Sequence, residues 1–221
     1  MNAKKLSFLL LILVAVACTN RSTSSEQDEM RHWNNVLQQI NALLLENKAR
    51  QTLDLAKQTL PEILESAEKN GTTDTLIYYA RKIFNACGNN YINTKQYKDG
   101  IDYMDSIGNH PLIREHCPHE LLSFKAGLNQ LYGNNPEAVR LAEDYLQLPV
   151  CTSANDFIRQ AEIISGVYMY SGNNLPKAIQ ILEKAIDVYR KGGNFPNMLR
   201  IMSRLGIYYH LSGEYEKAIA T

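Results

Sequence analysis

Apolar residues recur along most of the chain at the spacing of an amphipathic helix, and strand-like alternation is nowhere sustained. Steps of three, four and seven residues place such side chains on one helical face. One stripe of this kind consists of Leu76, Ala80, Ile83, Phe84, Cys87 and Tyr91, and a second of Ala178, Ile181, Leu182, Ala185 and Tyr189. The pattern predicts an all-α fold.

Turn and cap signals divide the apolar segments into helix pairs. Asn135, Pro136 and Glu137 supply a cap residue, a first-turn proline and an acid at a helix start. A left-handed glycine cap is expected after three periodic runs, at Gly133, Gly172 and Gly213. The predicted pairs cover 29–46 with 48–68, 73–93 with 96–107, 118–132 with 135–147, and 155–171 with 175–190, and a last helix at 195–211 precedes a short stub.

The helix pairs repeat with a period of 39–40 residues. Four marker glycines are spaced by 39, 39 and 40 residues, at Gly88, Gly127, Gly166 and Gly206. A second small residue follows each marker after eleven or twelve positions, at Gly100, Ala138, Ala178 and Ala218. Self-similarity of this length is typical of antiparallel helix pairs stacked into a solenoid. The first pair lacks the marker, as terminal repeats often do.

The segment from Leu205 to Ala220, LGIYYHLSGEYEKAIA, resembles a tetratricopeptide repeat (TPR). The matching residues are Leu205, Gly206, Tyr209, Gly213, Tyr215 and Ala218. The resemblance covers about residues 30–221 and implies a TPR-like right-handed solenoid, in which Gly206 and Ala218 let the two helices of a pair approach closely. The chain departs from the family in its longer period and in the early tryptophan position, which carries Phe84, Ser123, Glu162 and Met202.

The N-terminal segment 1–18 has the layout of a secretory signal. Lys4 and Lys5 precede a run of twelve residues, apolar except for Ser7, that ends before Cys18. Residues 19–28 read as a polar tether to the repeat domain at 29–221. The small residues before Cys18 resemble a bacterial lipobox, although Ala15 stands where leucine is commonest. This resemblance implies an acylated Cys18 and a membrane-anchored lipoprotein of the bacterial cell envelope, facing the periplasm or the cell surface. The combination also resembles extracytoplasmic repeat regions of Bacteroidetes-type proteins.

The charge balance bears on the kind of partner, and the cysteine pattern bears on disulfide bonds. Lys plus Arg equals Asp plus Glu at 23 each, so the chain lacks the basic excess expected of a nucleic-acid binder. Cys87 lies on an apolar stripe and is interpreted as a core residue. An odd number of cysteines after Cys18 argues against a complete disulfide framework, while a bridge between Cys117 and Cys151 stays open.

The sequence shows no recognised catalytic motif. Phosphate-binding glycine loops, a GxSxG elbow and an HExxH pair are all missing. The histidine-rich stretch from His110 to His119 could supply metal ligands or a cysteine–histidine pair, but no second ligand pair has a familiar spacing. The sequence therefore predicts a protein that is not an enzyme, with no catalytic residue, metal or cofactor.

The resemblance implies that the first helix of each pair lines a groove for another protein or a peptide. The groove positions carried over are Lys82, Asn85, Asn89, Phe124, Leu128, Leu131, Gln160, Ile163, Val167, Tyr170, Arg200, Ser203, Ile207 and His210. An apolar middle and polar ends would suit an extended peptide or a partner helix. The alternative is that neighbouring helices simply cover Phe124, Leu128 and Ile163.

Two further functions remain alternatives to a binding module. The chain could be the N-terminal sensor segment of a longer membrane signalling or transcription regulator. It could also be an exported metal-dependent enzyme that uses the region from His110 to His119. The final repeat reads as incomplete, since its second helix begins at Glu214 and ends at Thr221 after about two turns.

Overall fold

A computed structural model describes residues 27–149, 154–192 and 195–221 of the chain. Helices, and no strands, make up the regular structure of these residues. The helices are α1 (27–45), α2 (Ala49–Asn70), α3 (Asp74–Asn93), α4 (Tyr97–Ile107), α5 (Pro111–His116), α6 (Pro118–Tyr132), α7 (Asn135–Gln147), α8 (Ala154–Tyr170), α9 (Leu175–Gly192), α10 (Phe195–Ser212) and α11 (Tyr215–Ala220). The signal segment, Cys18 and Cys151 lie outside the described residues.

The helices stack in the predicted antiparallel pairs. Helix α1 packs on α2, with Ser66 donating a 2.8 Å hydrogen bond to Glu29. The later pairs are α3 with α4, α6 with α7, α8 with α9, and α10 with α11. First helices of successive pairs also contact each other, α3 with α6 and α6 with α8. The predicted fold class, an all-α solenoid of helix pairs, is therefore confirmed.

Two of the three predicted glycine caps adopt the left-handed conformation. Gly133 and Gly213 have φ angles of +96° and +82°, which residues with a side chain rarely adopt. In the third turn the positive φ belongs to Asn173, at +44°, and not to Gly172. The prediction for Gly172 was therefore wrong, because asparagine also tolerates this conformation and here takes it one residue later.

Helix α5 corrects the sequence-based map, which placed no helix between 107 and 118. His110 caps its start, since the Leu112 N–H donates to His110 Nδ1 at 3.2 Å. Pro111 occupies the first turn, where its missing N–H costs nothing. Leu112 and Ile113 are buried, so this six-residue helix is held by tertiary packing as well as by its cap.

The marker glycines allow close contact between successive repeats. A Cβ placed on Gly127 would lie 2.6 Å from Cγ2 of Ile163, on the first helix of the next pair. At Gly206 a Cβ would lie 3.5 Å from the Ala218 carbonyl oxygen, within its own pair. The predicted role of Gly206 and Ala218 agrees with this spacing, whereas Gly127 serves contact between pairs.

The apolar interior runs the length of the described body. Buried side chains from α1 to α6 form one cluster, and those from α6 to α10 form a second. Helix α11 contributes no buried residue, although Ala218 packs against the second cluster. Among the described helices, none is both long and apolar enough to cross a membrane.

Candidate functional site

The first helices α3, α6, α8 and α10 form a continuous surface. Arg159 on α8 donates from Nε to Asn89 Oδ1 on α3 at 2.7 Å. Helix α6 packs between these two helices, so the bond crosses over its surface. A side chain can span that distance only if the outer two helices converge on this side. The bond therefore marks the inner, concave side of the solenoid.

Four of the predicted groove residues are buried by neighbouring helices. Phe124 is 1% exposed, and its ring packs edge-on against Phe84 with centroids 6.2 Å apart. Leu128 and Val167 have no exposed surface, and buried Gln160 accepts a 3.1 Å hydrogen bond from the Tyr145 hydroxyl. These four side chains stabilise the stack, so we exclude them from the groove surface.

The other ten predicted positions are exposed or half-buried. Tyr170 and Ile207 are 70% and 58% exposed. Ile207 directly follows the marker glycine of the last pair, a position at which Leu128 and Val167 are buried in the earlier pairs. Ile163 is half-buried over Gly127, so the alternative that neighbouring helices cover it holds only in part. The ten accessible positions are Lys82, Asn85, Asn89, Leu131, Ile163, Tyr170, Arg200, Ser203, Ile207 and His210.

Three charged residues on this surface were missed by sequence reasoning. Glu162 on α8 is buried, with a side chain 4% exposed. Arg200 on α10 lies 2.7 Å from its carboxylate, and the Arg204 guanidinium donates to its backbone carbonyl at 2.9 Å. Arg159 lies on the same face of α8, one turn before Glu162. Of these four residues, only Arg200 was among the predicted groove positions, because the contacts between them depend on how α8 and α10 are placed in three dimensions.

The desolvated setting of this cluster affects the Arg159 guanidinium. Burial lowers its pKa, and the positive charges of Arg200 and Arg204 lower it further. The Glu162 carboxylate acts in the opposite direction and raises this pKa. The Glu162 carboxylate therefore lies beside two guanidinium groups, those of Arg159 and Arg200, while Arg204 binds the Glu162 backbone carbonyl. The groove carries local positive charge where α8 meets α10.

The histidine-rich stretch has separate structural roles. His110 caps α5 and lies 3.2 Å from Glu68, while His119 Nε2 lies 2.7 Å from the Pro149 carbonyl oxygen. Arg81 donates to the backbone carbonyl of His116 at 2.5 Å. No group of three or more His, Cys, Asp or Glu side chains suited to a metal occurs among the described residues.

Two cysteines lie in the interior of the described body. Cys87 is fully buried and free, which confirms its interpretation as a core residue. Burial raises the pKa of its thiol to about 12, although the Tyr103 hydroxyl lies 3.8 Å from Sγ and lowers it somewhat. Cys117 is also buried, and the question of a bridge to Cys151 stays open because Cys151 lies outside the described residues.

Comparisons with known proteins identify the fold. No protein-family profile and no curated protein sequence matches the chain. A crystal structure of a variant of a Podosopora anserina putative kinesin light chain, described as having nearly identical TPR-like repeats, matches with a TM-score of 0.53. The two chains are 12% identical, and the match covers 85% of this chain and 89% of the other.

A second crystal structure of the Podosopora anserina repeats gives a TM-score of 0.52 at 12% identity. That match covers 85% of this chain and 90% of the other. Identities this low carry no information about a shared ligand, because a fold alone does not determine function. The likeness shows a solenoid of TPR-like helix pairs.

Proposed function

We propose that this protein is an exported, lipid-anchored binding module that holds a segment of another protein or a peptide along its inner surface. TPR-like solenoids typically act as interaction scaffolds, because stacked helix pairs present an extended concave face. The observation that carries the proposal is the exposure of large side chains on that face. Tyr170 and Leu131 are 70% and 43% exposed at equivalent positions, four residues after the marker glycines of α8 and α6, whereas Phe124 on the same row of first helices is buried.

The anchoring part of the proposal rests on the N-terminal sequence. Lys4, Lys5, the apolar run and Cys18 have the order of a lipoprotein signal, followed by a short polar tether. Acylation of Cys18 would hold the solenoid at a membrane surface of the cell envelope. No catalytic role is part of the proposal, since the described inner surface offers charged and apolar contacts and no nucleophile paired with a base.

Site-specific photo-crosslinking in a bacterial host tests the groove. A benzophenone side chain is introduced at Tyr170 in one variant and at exposed Gln180 of α9 in another. We expect a discrete crosslinked partner from position 170 that is missing from position 180. Equal crosslinking from both positions would show that the inner face has no special role.

Fatty-acid labelling tests the anchor separately. The wild-type chain should incorporate a labelled fatty acid, and Cys18→Ser should not. Equal labelling of both proteins would refute acylation at Cys18 and leave the groove result unaffected.

A further inference from the structure

Arginine side chains from two first helices meet over one buried carboxylate. Arg200 Nη2 lies 2.7 Å from Glu162 Oε2, and Arg159 Nη1 lies 3.9 Å from the same oxygen. Arg204 Nη1 donates to the Glu162 backbone carbonyl at 2.9 Å. We call Arg159, Arg200, Arg204 and Glu162 the arginine cluster. Its side chains carry a formal charge of three positive and one negative, a net of two positive charges.

The guanidinium groups of the cluster retain hydrogen-bonding capacity. Each guanidinium has five N–H donors. Asn89 Oδ1 and the Glu162 backbone carbonyl each accept one of these donors, and Arg200 Nη2 lies 2.7 Å from the Glu162 carboxylate, so these contacts use only a few of the donors. The side chains of Arg159 and Arg200 are 37% and 54% exposed, so these donors are accessible from the groove. A planar fork of this kind matches a carboxylate in bidentate geometry.

Apolar contacts lie beside the cluster on the same two helices. Tyr170 follows Glu162 by eight residues on α8, which is about 12 Å along the helix. Ile207 follows Arg200 by seven residues on α10, or about 10 Å. Both side chains are more than half exposed. A segment lying in the groove could therefore place acidic side chains on the arginines and apolar side chains on Tyr170 and Ile207.

We propose that the arginine cluster binds the side-chain carboxylates of an acidic peptide segment lying along the groove. This inference rests on the proposed function and names the chemistry of its ligand. Overall neutrality of the chain gives no long-range attraction to a polyanion such as nucleic acid. A local excess of two positive charges matches a short segment with two acidic side chains.

Two matched peptides test the charge selection. One alternates glutamate with leucine, and the other replaces every glutamate by glutamine, with both ends blocked and one fluorescent label. Binding to the full chain is followed by fluorescence anisotropy at low salt. Charge-assisted hydrogen bonds should make the glutamate peptide bind at least about tenfold more tightly. Half-molar salt should remove most of that difference.

Three variants test whether the arginine cluster causes this difference in affinity between the two peptides. Arg200→Gln should weaken binding of the glutamate peptide about tenfold and leave the glutamine peptide unchanged. Arg140→Gln makes the same charge change on α7, where Arg140 pairs with Glu137 and Asp144, and should change neither peptide. Glu162→Gln removes the carboxylate that competes with the ligand and should strengthen binding of the glutamate peptide. Thermal melts verify that each variant is folded.

The outcomes separate this inference from the proposed function. Equal binding of both peptides to the wild type overturns the charge selection and leaves the groove proposal standing. Failure of both peptides to bind, with crosslinking at position 170 intact, shows that the ligand is of another chemical class and also overturns the inference. Equal losses in Arg200→Gln and Arg140→Gln would attribute the effect to overall charge and exclude the cluster.

Discussion

A Cβ atom placed on Gly88 would lie 2.4 Å from Cδ2 of Phe124, so the Phe124 ring occupies the space that a side chain at Gly88 would need. Both residues belong to first helices of successive pairs, α3 and α6. Ile163 stands over Gly127 in the same way, and each of these two glycines precedes its partner by 36 residues. The period of the repeat therefore fixes which side chain meets which glycine.

Gly88→Ala should lower the free energy of unfolding by about 1–3 kcal/mol, the usual cost of overpacking. Gly166→Ala is the control, since a Cβ there meets only Gln130 Oε1 at 3.8 Å. In Gly166→Ala the helix propensity of alanine should dominate and stabilise the protein by up to about 1 kcal/mol. Urea unfolding measures the free energy of unfolding of both variants. A loss at Gly166 as large as that at Gly88 would contradict the contact-based explanation.

Phe124→Ala should act on stability and not specifically on binding. Truncating a fully buried phenylalanine costs about 3–5 kcal/mol. Tyr170→Ala should instead leave the melting temperature within a few degrees of the wild type and weaken binding in the groove, because Tyr170 is 70% exposed. Calorimetry measures the loss of stability in each variant, and the peptide-binding assay measures the loss of affinity. Loss of folding in Tyr170→Ala would remove this residue from the groove.

Glu143 and Lys177 form an ion pair whose contribution to the free energy of unfolding should depend on pH. Lys177 Nζ lies 2.6 and 2.8 Å from the two carboxylate oxygens, and its hydrogen bond lowers the pKa of Glu143. A lowered pKa means that the stabilisation is present above the unfolded value of about 4.3 and is lost as pH falls through the folded value. Since the pair is partly exposed, we expect less than about 1 kcal/mol at neutral pH.

A double-mutant cycle measures this coupling. Glu143→Gln, Lys177→Gln and the double variant are unfolded in urea at neutral pH and at a series of acidic values down to a pH of about 2, far enough below the ordinary glutamate pKa of about 4.3 to protonate a carboxyl whose pKa is lowered. The coupling energy should be measurable at neutral pH and vanish in acid. A coupling that persists in acid would exclude the ionised carboxylate as its source.

The Cys87 thiol should resist alkylation in the folded protein. Burial raises its pKa to about 12, so almost no reactive thiolate exists at a pH of about 8. Iodoacetamide treatment followed by peptide mass spectrometry should find Cys87 unmodified in buffer and modified in urea. Ser203→Cys supplies an exposed comparison that should react in the folded state. Rapid labelling of Cys87 in buffer would show that α3 opens locally.

The sequence contained enough information for the helix pairs and their order. Apolar periodicity, marker glycines and turn residues are local signals, and they agreed with one another from α3 to α10. Helix α5 was missed because six residues are too short for a readable stripe. Its only local signals are the His110 cap and Pro111, and the dense histidines around them were considered as metal ligands instead.

The groove residues were harder to predict than the fold. Family positions were carried over to a repeat whose period of 39–40 residues is longer than that of the family, and at Phe124 and Leu128 this assigned packing residues to the surface. The arginine cluster depends on how α8 and α10 are placed in three dimensions. No pattern within a single helix shows that Arg200 will meet Glu162, which is 38 positions earlier.

The hydrogen bond between Arg159 and Asn89 also has a mechanical consequence. It joins two helices that are not neighbours in the stack, so α3, α6 and α8 cannot bend away from one another on the inner side without breaking it. The curvature of a solenoid follows from the small rotation between adjacent repeats. This segment should therefore be stiffer than its flanks, and the groove should keep a nearly constant width at Asn89. Changes of curvature would then be concentrated toward α10, where a bound segment could draw the end of the array inward.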